Sequence, residues 1–88
     1  MKPIKILILH TNQILITQIE EVPSDLGEPD CKLILPFELK KSTNDEVYLE
    51  SWNSSYTSQD TFMIHSDKIL TIADPKPTIL EKYQNIIK

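Results

Sequence analysis

Between Phe62 and Asp74 the chain reads FMIHSDKILTIAD, two short apolar runs, Phe62-Met63-Ile64 and Ile69-Leu70-Thr71-Ile72, on either side of the polar tetrad His65-Ser66-Asp67-Lys68. Apolar runs this short, rich in β-branched residues and bounded by polar ones, read as strands and not as helices. Four residues between two strands leave room only for a very tight corner. A chain with such a corner near its end folds as a small sheet that bends sharply upon itself.

The preceding residues fit that frame. From Pro3 to His10 the isoleucines Ile4, Ile6 and Ile8 alternate with Lys5, Leu7 and Leu9, which favours an extended strand. Thr11-Asn12-Gln13 supplies a turn, and Ile14 to Val22 reads as a second strand, apolar on both faces at its start and polar at its end. Pro23 to Asp30 holds two prolines and the only glycine, so it is a loop. The third strand runs from Cys31 to about Leu39, with Leu33, Leu35, Phe37 and Leu39 expected on one face and Lys32, Ile34, Pro36 and Glu38 on the other. Pro36 cannot donate to a ladder and marks a bulge, bend or edge there. A fourth run, Glu46 to Trp52, is either a separate strand or the first half of a long bent strand that resumes at Thr61, across the polar loop Asn53 to Asp60.

After Asp74, Pro75 and Pro77 stop the last strand, and Thr78-Ile79-Leu80-Glu81 matches a capping box that starts a helix over about 78–87. Ile79, Leu80, Tyr83, Ile86 and Ile87 form its apolar stripe. At 88 residues the chain supports one domain and one core, with a barrel over about 3–74 and the helix behind it. The expected class is mainly all-β: a small five-stranded, strongly bent antiparallel barrel with a C-terminal α-helix.

Several functions find no residues to carry them. The formal net charge is −4 and all nine basic residues are lysines, which is not the overall footprint of a nucleic-acid binder, although a local basic patch still acts within a screening length of about 8–10 Å. There is no Gly-rich phosphate loop, no HExxH and no defensible Ser-His-Asp spacing; Glu20 and Glu21 point to opposite faces of a strand. No enzyme activity, cofactor or metal site is expected. Asp25, Glu28 and Asp30 match no EF-hand pattern and read as a solvated loop. Cys31 is the lone cysteine, a small buried hydrophobe in a reducing compartment. The run Ile6-Leu7-Ile8-Leu9 is too short to span a membrane and no cleavage site follows it, so the protein is expected to be soluble and cytoplasmic.

Placed after several short strands, the pattern Phe62-Met63-Ile64, His65-Ser66, Asp67, Lys68, Ile69-Leu70-Thr71-Ile72 resembles the second signature of the Sm/LSm proteins, with His65-Ser66 where that family carries Arg-Gly. Leu15-Ile16-Thr17-Gln18-Ile19 and Cys31-Lys32-Leu33-Ile34-Leu35 align with the two halves of the first signature, Thr17 standing for its Gly and Lys32 for its Asn. Strand lengths, corner and terminal helix are similar in particular to the small, divergent Sm-like proteins encoded by marine cyanobacterial phages, which would place the protein in the host cytoplasm. Sm proteins usually carry their helix before the first strand, not after the last.

The resemblance implies a Sm-like, SH3-like barrel that forms a homo-oligomeric ring by pairing strand edges, here the runs around Phe62 and Ile64 and around Ile69 and Ile72. It implies a pore that binds single-stranded RNA, or DNA, through Asp30, Lys32, His65, Ser66 and Lys68. His65 in place of Arg stacks and donates a hydrogen bond but attracts phosphate less. The alternative is a structural or protein-interaction barrel that oligomerises without nucleic acid. Tyr48, Trp52 and Tyr56 are a stacking platform on one reading; on the other, Tyr48 and Trp52 cover the helix or a subunit contact.

Overall fold

The computed structural model describes residues 2–88. Its first hairpin joins β1 (Ile4–Leu9) and β2 (Ile14–Glu21) in antiparallel register, Leu7 opposite Leu15. Asn12, at φ 69, takes the left-handed conformation that the reversal needs and that Asn tolerates. β2 then pairs with β3 (Cys31–Lys41), the longest strand.

β3 is broken in the middle by the bend that Pro36 announces. Pairing with β2 steps from Ile16↔Phe37 to Gln18↔Ile34, so β3 holds one extra residue, and Leu35 sits at φ 53. The extra residue swaps faces. Leu33 opposes Ile19 and Phe37 opposes Ile16; Ile16 and Ile19, three apart on one strand, point to opposite sides. The expectation that Leu33, Phe37 and Leu39 share a face is therefore corrected: Leu33 is in the core, while Phe37 and Leu39 face the other way.

The bend also divides the far side of β3. β4 (Val47–Ser51) pairs with Phe37–Lys41 and β5 (Thr61–Ile64) with Cys31–Ile34. They are the two halves of one interrupted strand position. At the break Trp52 N–H donates to the Pro36 carbonyl (3.1 Å) and Leu35 N–H to the Asp60 carbonyl (2.8 Å). A single 3-10 turn, Ser66–Lys68, leads into β6 (Ile69–Ala73), which pairs with β1. The sheet thus has six strands and not five, in the order β4-β3-β2-β1-β6 with β5 beside β4 on β3. It stays open: among the described residues no pairing joins β6 to β4 or β5.

Leu7, Leu9, Leu15 and Leu33 form the core on the inner face, with Ile19, Trp52, Ile64 and Ile69 packed against them. Cys31 is buried beside them, as expected. The outer face is covered in part by α1 (Pro77–Ile87). Its Tyr83 is fully buried, edge-on to Phe37 at 5.9 Å, with Oη donating to the carbonyls of Leu35 (2.8 Å) and Ile34 (3.2 Å). The capping box does not form: the N-cap is Lys76, without a side-chain cap bond, and Pro77 occupies the first turn. Proline's fixed φ and missing N–H suit that position, so the N-cap lies two residues before Thr78, the cap that the capping box would use. No helix among the described residues is long and apolar enough to cross a membrane.

Candidate nucleic-acid interface

The corner between β5 and β6 is held from three sides. Asp30, at the end of the β2–β3 loop, accepts from Ser66 N–H at Oδ1 and from Ser66 Oγ at Oδ2, both at 2.7 Å. Within the turn, Lys68 N–H donates to the His65 carbonyl (3.0 Å). The Lys68 carbonyl in turn accepts His10 N–H (3.1 Å), which ties the corner to the β1–β2 hairpin. His65 precedes the turn in extended conformation, φ −74 and ψ 132, with no cap bond from its own side chain. Asp30 supplies the cap instead, from 36 residues away.

The electrostatics follow from those bonds. The Ser66 hydroxyl, then the Ser66 N–H, and then the nearby His65 hold the Asp30 carboxyl below its usual range. Both of its oxygens are engaged, so Asp30 positions the corner before it does anything else. Glu20 is likewise lowered, chiefly by its bond to Lys2 (2.8 Å) and to a lesser degree by the charge of Lys32. Burial raises the Cys31 thiol, with Asp30 and Glu21 adding to it, so it is an inert core group and not a nucleophile.

The five residues expected to share a site therefore divide. Asp30, His65 and Ser66 meet at the corner. Lys32 lies one row along β3, opposite Glu20 on one side and Met63 on the other. It stands two residues after Asp30, which ends the β2–β3 loop just before β3 begins. Lys68 joins through its backbone, on the side of the turn that faces His10. The arrangement brings His65, Lys32 and Lys68 to one end of the sheet, around a corner in which Asp30 is engaged by Ser66 while Asp67, within the turn, is exposed.

The expected contact residues divide too. Phe62 stacks edge-on against Trp52 (5.2 Å, interplanar 68°), and Ile64 and Ile69 pack on the core. The exposed apolar side chains on the two edges are Leu70 (59%) and Ile72 (54%) on β6 and Met63 (49%) on β5. A groove of about 260 Å³ runs along β6, lined by Ile19, Cys31, Leu70 and Ile72 among others. Neither Tyr48 nor Trp52 covers the helix: both alternate to the face opposite Val47, whose carbonyl accepts Lys82 Nζ of α1 (3.2 Å). Trp52 is committed to the core, while Tyr56 is exposed.

Sequence reasoning missed the bonds from Asp30 to Ser66 and from His10 to the turn, because both join distant segments and leave no local pattern. Across residues 2–88 the chain matches a family model described as a family of unknown function (DUF6561). No curated protein matches it.

Proposed function

The chain belongs to the DUF6561 family, whose description assigns no activity, and on the geometry we propose a non-enzymatic, ring-forming Sm-like protein that binds single-stranded RNA. The observation that carries this reading is the sheet order with a 3-10 turn between its last two strands. That order leaves β6 free at one end of the sheet and β4 and β5 free at the other. Neither β5 nor β6 contains a charged residue, and unpaired apolar edges of this kind recruit partners. Pairing β6 of one copy with β5 of the next repeats a heterologous contact, which closes into a ring when the rotation allows. It would set one His65 corner per subunit around the ring, so that weak single donors act together on one strand. Imidazole stacking on bases and the ammonium groups of Lys32 and Lys68 on phosphates are the contacts available.

A second reading has its own support. The net charge of −4 and the absence of arginine favour an assembly that holds proteins together and leaves RNA alone. Binding of fluorescent oligo(U), oligo(A) and single-stranded DNA at low and high salt separates the two. The RNA reading expects affinity that falls steeply with salt, as phosphate contacts do, and that weakens with His65→Ala and with Lys32→Ala. No binding of any of the three at low salt by an assembled protein favours the structural reading.

A further inference from the structure

Two features lie at opposite ends of β2 and β3 and play no part in the ring. At one end the β2–β3 loop turns at Asp25–Glu28, Glu28 N–H donating to the Asp25 carbonyl (3.0 Å), with Gly27 at φ 86. A positive φ at the third position is what a type II turn requires, and it leaves the second residue, Leu26, at the tip. Leu26 is fully exposed. Single exposed leucines are ordinary, but this one is held by a defined turn between two carboxylates.

At the other end, the part of the outer sheet face that α1 leaves uncovered forms a groove of about 540 Å³. Ile6, Ile14, Leu39 and Val47 line it together with Lys41 and Lys76. The carboxylate on its wall, Asp74, is already paired with Lys5, and Lys40 is shared with Glu50 at 3.4 Å. Lys41 and Lys76 enter no ion pair among the described residues. The first turn of α1 adds the positive end of its dipole, since Thr78 and Ile79 also border the groove.

We propose that this groove receives Leu26 of a second copy of the chain, with Asp25 and Glu28 meeting Lys41 and Lys76. A protein of net charge −4 repels its own copies in general, so association between them must use a place where local charges are opposite. This loop and this groove match in both apolar character and sign. Because they sit at opposite ends of the same strands, the contact is heterologous and joins copies loop-to-groove in a row. It buries little area and is therefore weak and concentration-dependent, and its exposed ion pairs make it salt-sensitive. Val47 of β4 and Ala73 of β6 border the groove, but the contact is made on the sheet face and pairs no strand edge, so it is tested apart from the ring.

The test is sedimentation velocity over a rising concentration series, at low and high salt. The proteins are wild type, Leu26→Asp, Asp25→Lys/Glu28→Lys, Lys41→Glu/Lys76→Glu, and an equimolar mixture of the last two. The substituted positions are all exposed, where such changes leave folding intact. Wild type is expected to form a heavier species as concentration rises and to lose it at high salt. Leu26→Asp and each charge-reversed protein alone should lack that species. The mixture should regain it, because one partner keeps the acidic loop and the other the basic groove. A wild type whose sedimentation ignores concentration, a Leu26→Asp protein that associates as wild type does, or a mixture that stays unassociated would overturn the proposal.

Discussion

Leu35 adopts a left-handed backbone, φ 53, that side chains other than Asn, Asp and Gly rarely take, at a strain of about 1–3 kcal/mol. The bend is held by bonds to its backbone: Leu35 N–H donates to the Asp60 carbonyl, and the single hydroxyl hydrogen of Tyr83 is directed to the Leu35 carbonyl, with the Ile34 carbonyl also in range. Thr17 Oγ1 also donates to Ile34 (3.1 Å). Tyr83→Phe keeps the ring and its packing on Phe37 but deletes the donor, and is expected to lower unfolding free energy by about 0.5–1.5 kcal/mol in urea titration. Asp30 makes a second residue-scale prediction. Its folded pKa lies below the ordinary value of 3.8, so its bonds to Ser66 contribute fully above that value and are lost as pH falls through the folded pKa. Asp30→Asn should therefore be less stable than wild type at neutral pH and show a shallower loss of stability on acidification; urea midpoints measured from pH 7 downward check it. Pro36 made the bend legible in the sequence. That Tyr83 clamps it, and that Asp30 caps the corner, was not legible, since both depend on which strands end up side by side.

Strand by strand, alternation located β1, β2 and β3 to within a residue or two, because β-branched residues on a half-buried face leave a clear period of two. Whether the run Glu46 to Trp52 was a separate strand or half of a long bent one stayed open in the sequence, since only pairing decides it. The two segments turned out to share one side of β3, separated by its bend. The extra residue at that bend also reversed which face Phe37 and Leu39 occupy, which a count of alternate residues could not anticipate. α1 shows a local signal overruled by its neighbour: Thr78 and Glu81 spell a capping box, but Pro77 one residue earlier takes the first turn. Thr78→Ala and Glu81→Ala should accordingly each change stability by less than about 0.5 kcal/mol. A working N-cap would lose about 1 kcal/mol on the same change, so thermal or urea melts of the two variants distinguish the cases.

For the whole molecule, the sheet buries leucines on one side and Tyr83 on the other, yet the outer edges of β5 and β6 are unpaired and carry apolar side chains in solvent. Leu70 and Ile72 are more than half exposed on a strand with no charge to protect its edge, the arrangement that natural sheets avoid unless the edge is used. The short apolar runs beside a tight corner were legible in the sequence; that the edges near Ile64 and Ile72 form contacts is what the Sm-like resemblance implies and what we propose. Which of these side chains are exposed was not legible: Phe62, Ile64 and Ile69 pack within the chain, while Met63, Leu70 and Ile72 are exposed and are the ones the proposed edge pairing would use. The most direct test is the solution mass by light scattering, for wild type and for Leu70→Lys/Ile72→Lys. Edge pairing expects the smallest wild-type particle to be a fixed multiple, two or more, of the 10.2 kDa chain, and the double variant to fall to a single chain at low concentration and high salt, where the loop-to-groove contact is absent, with unchanged circular dichroism. A wild-type protein that stays at the mass of one chain at every concentration would contradict it.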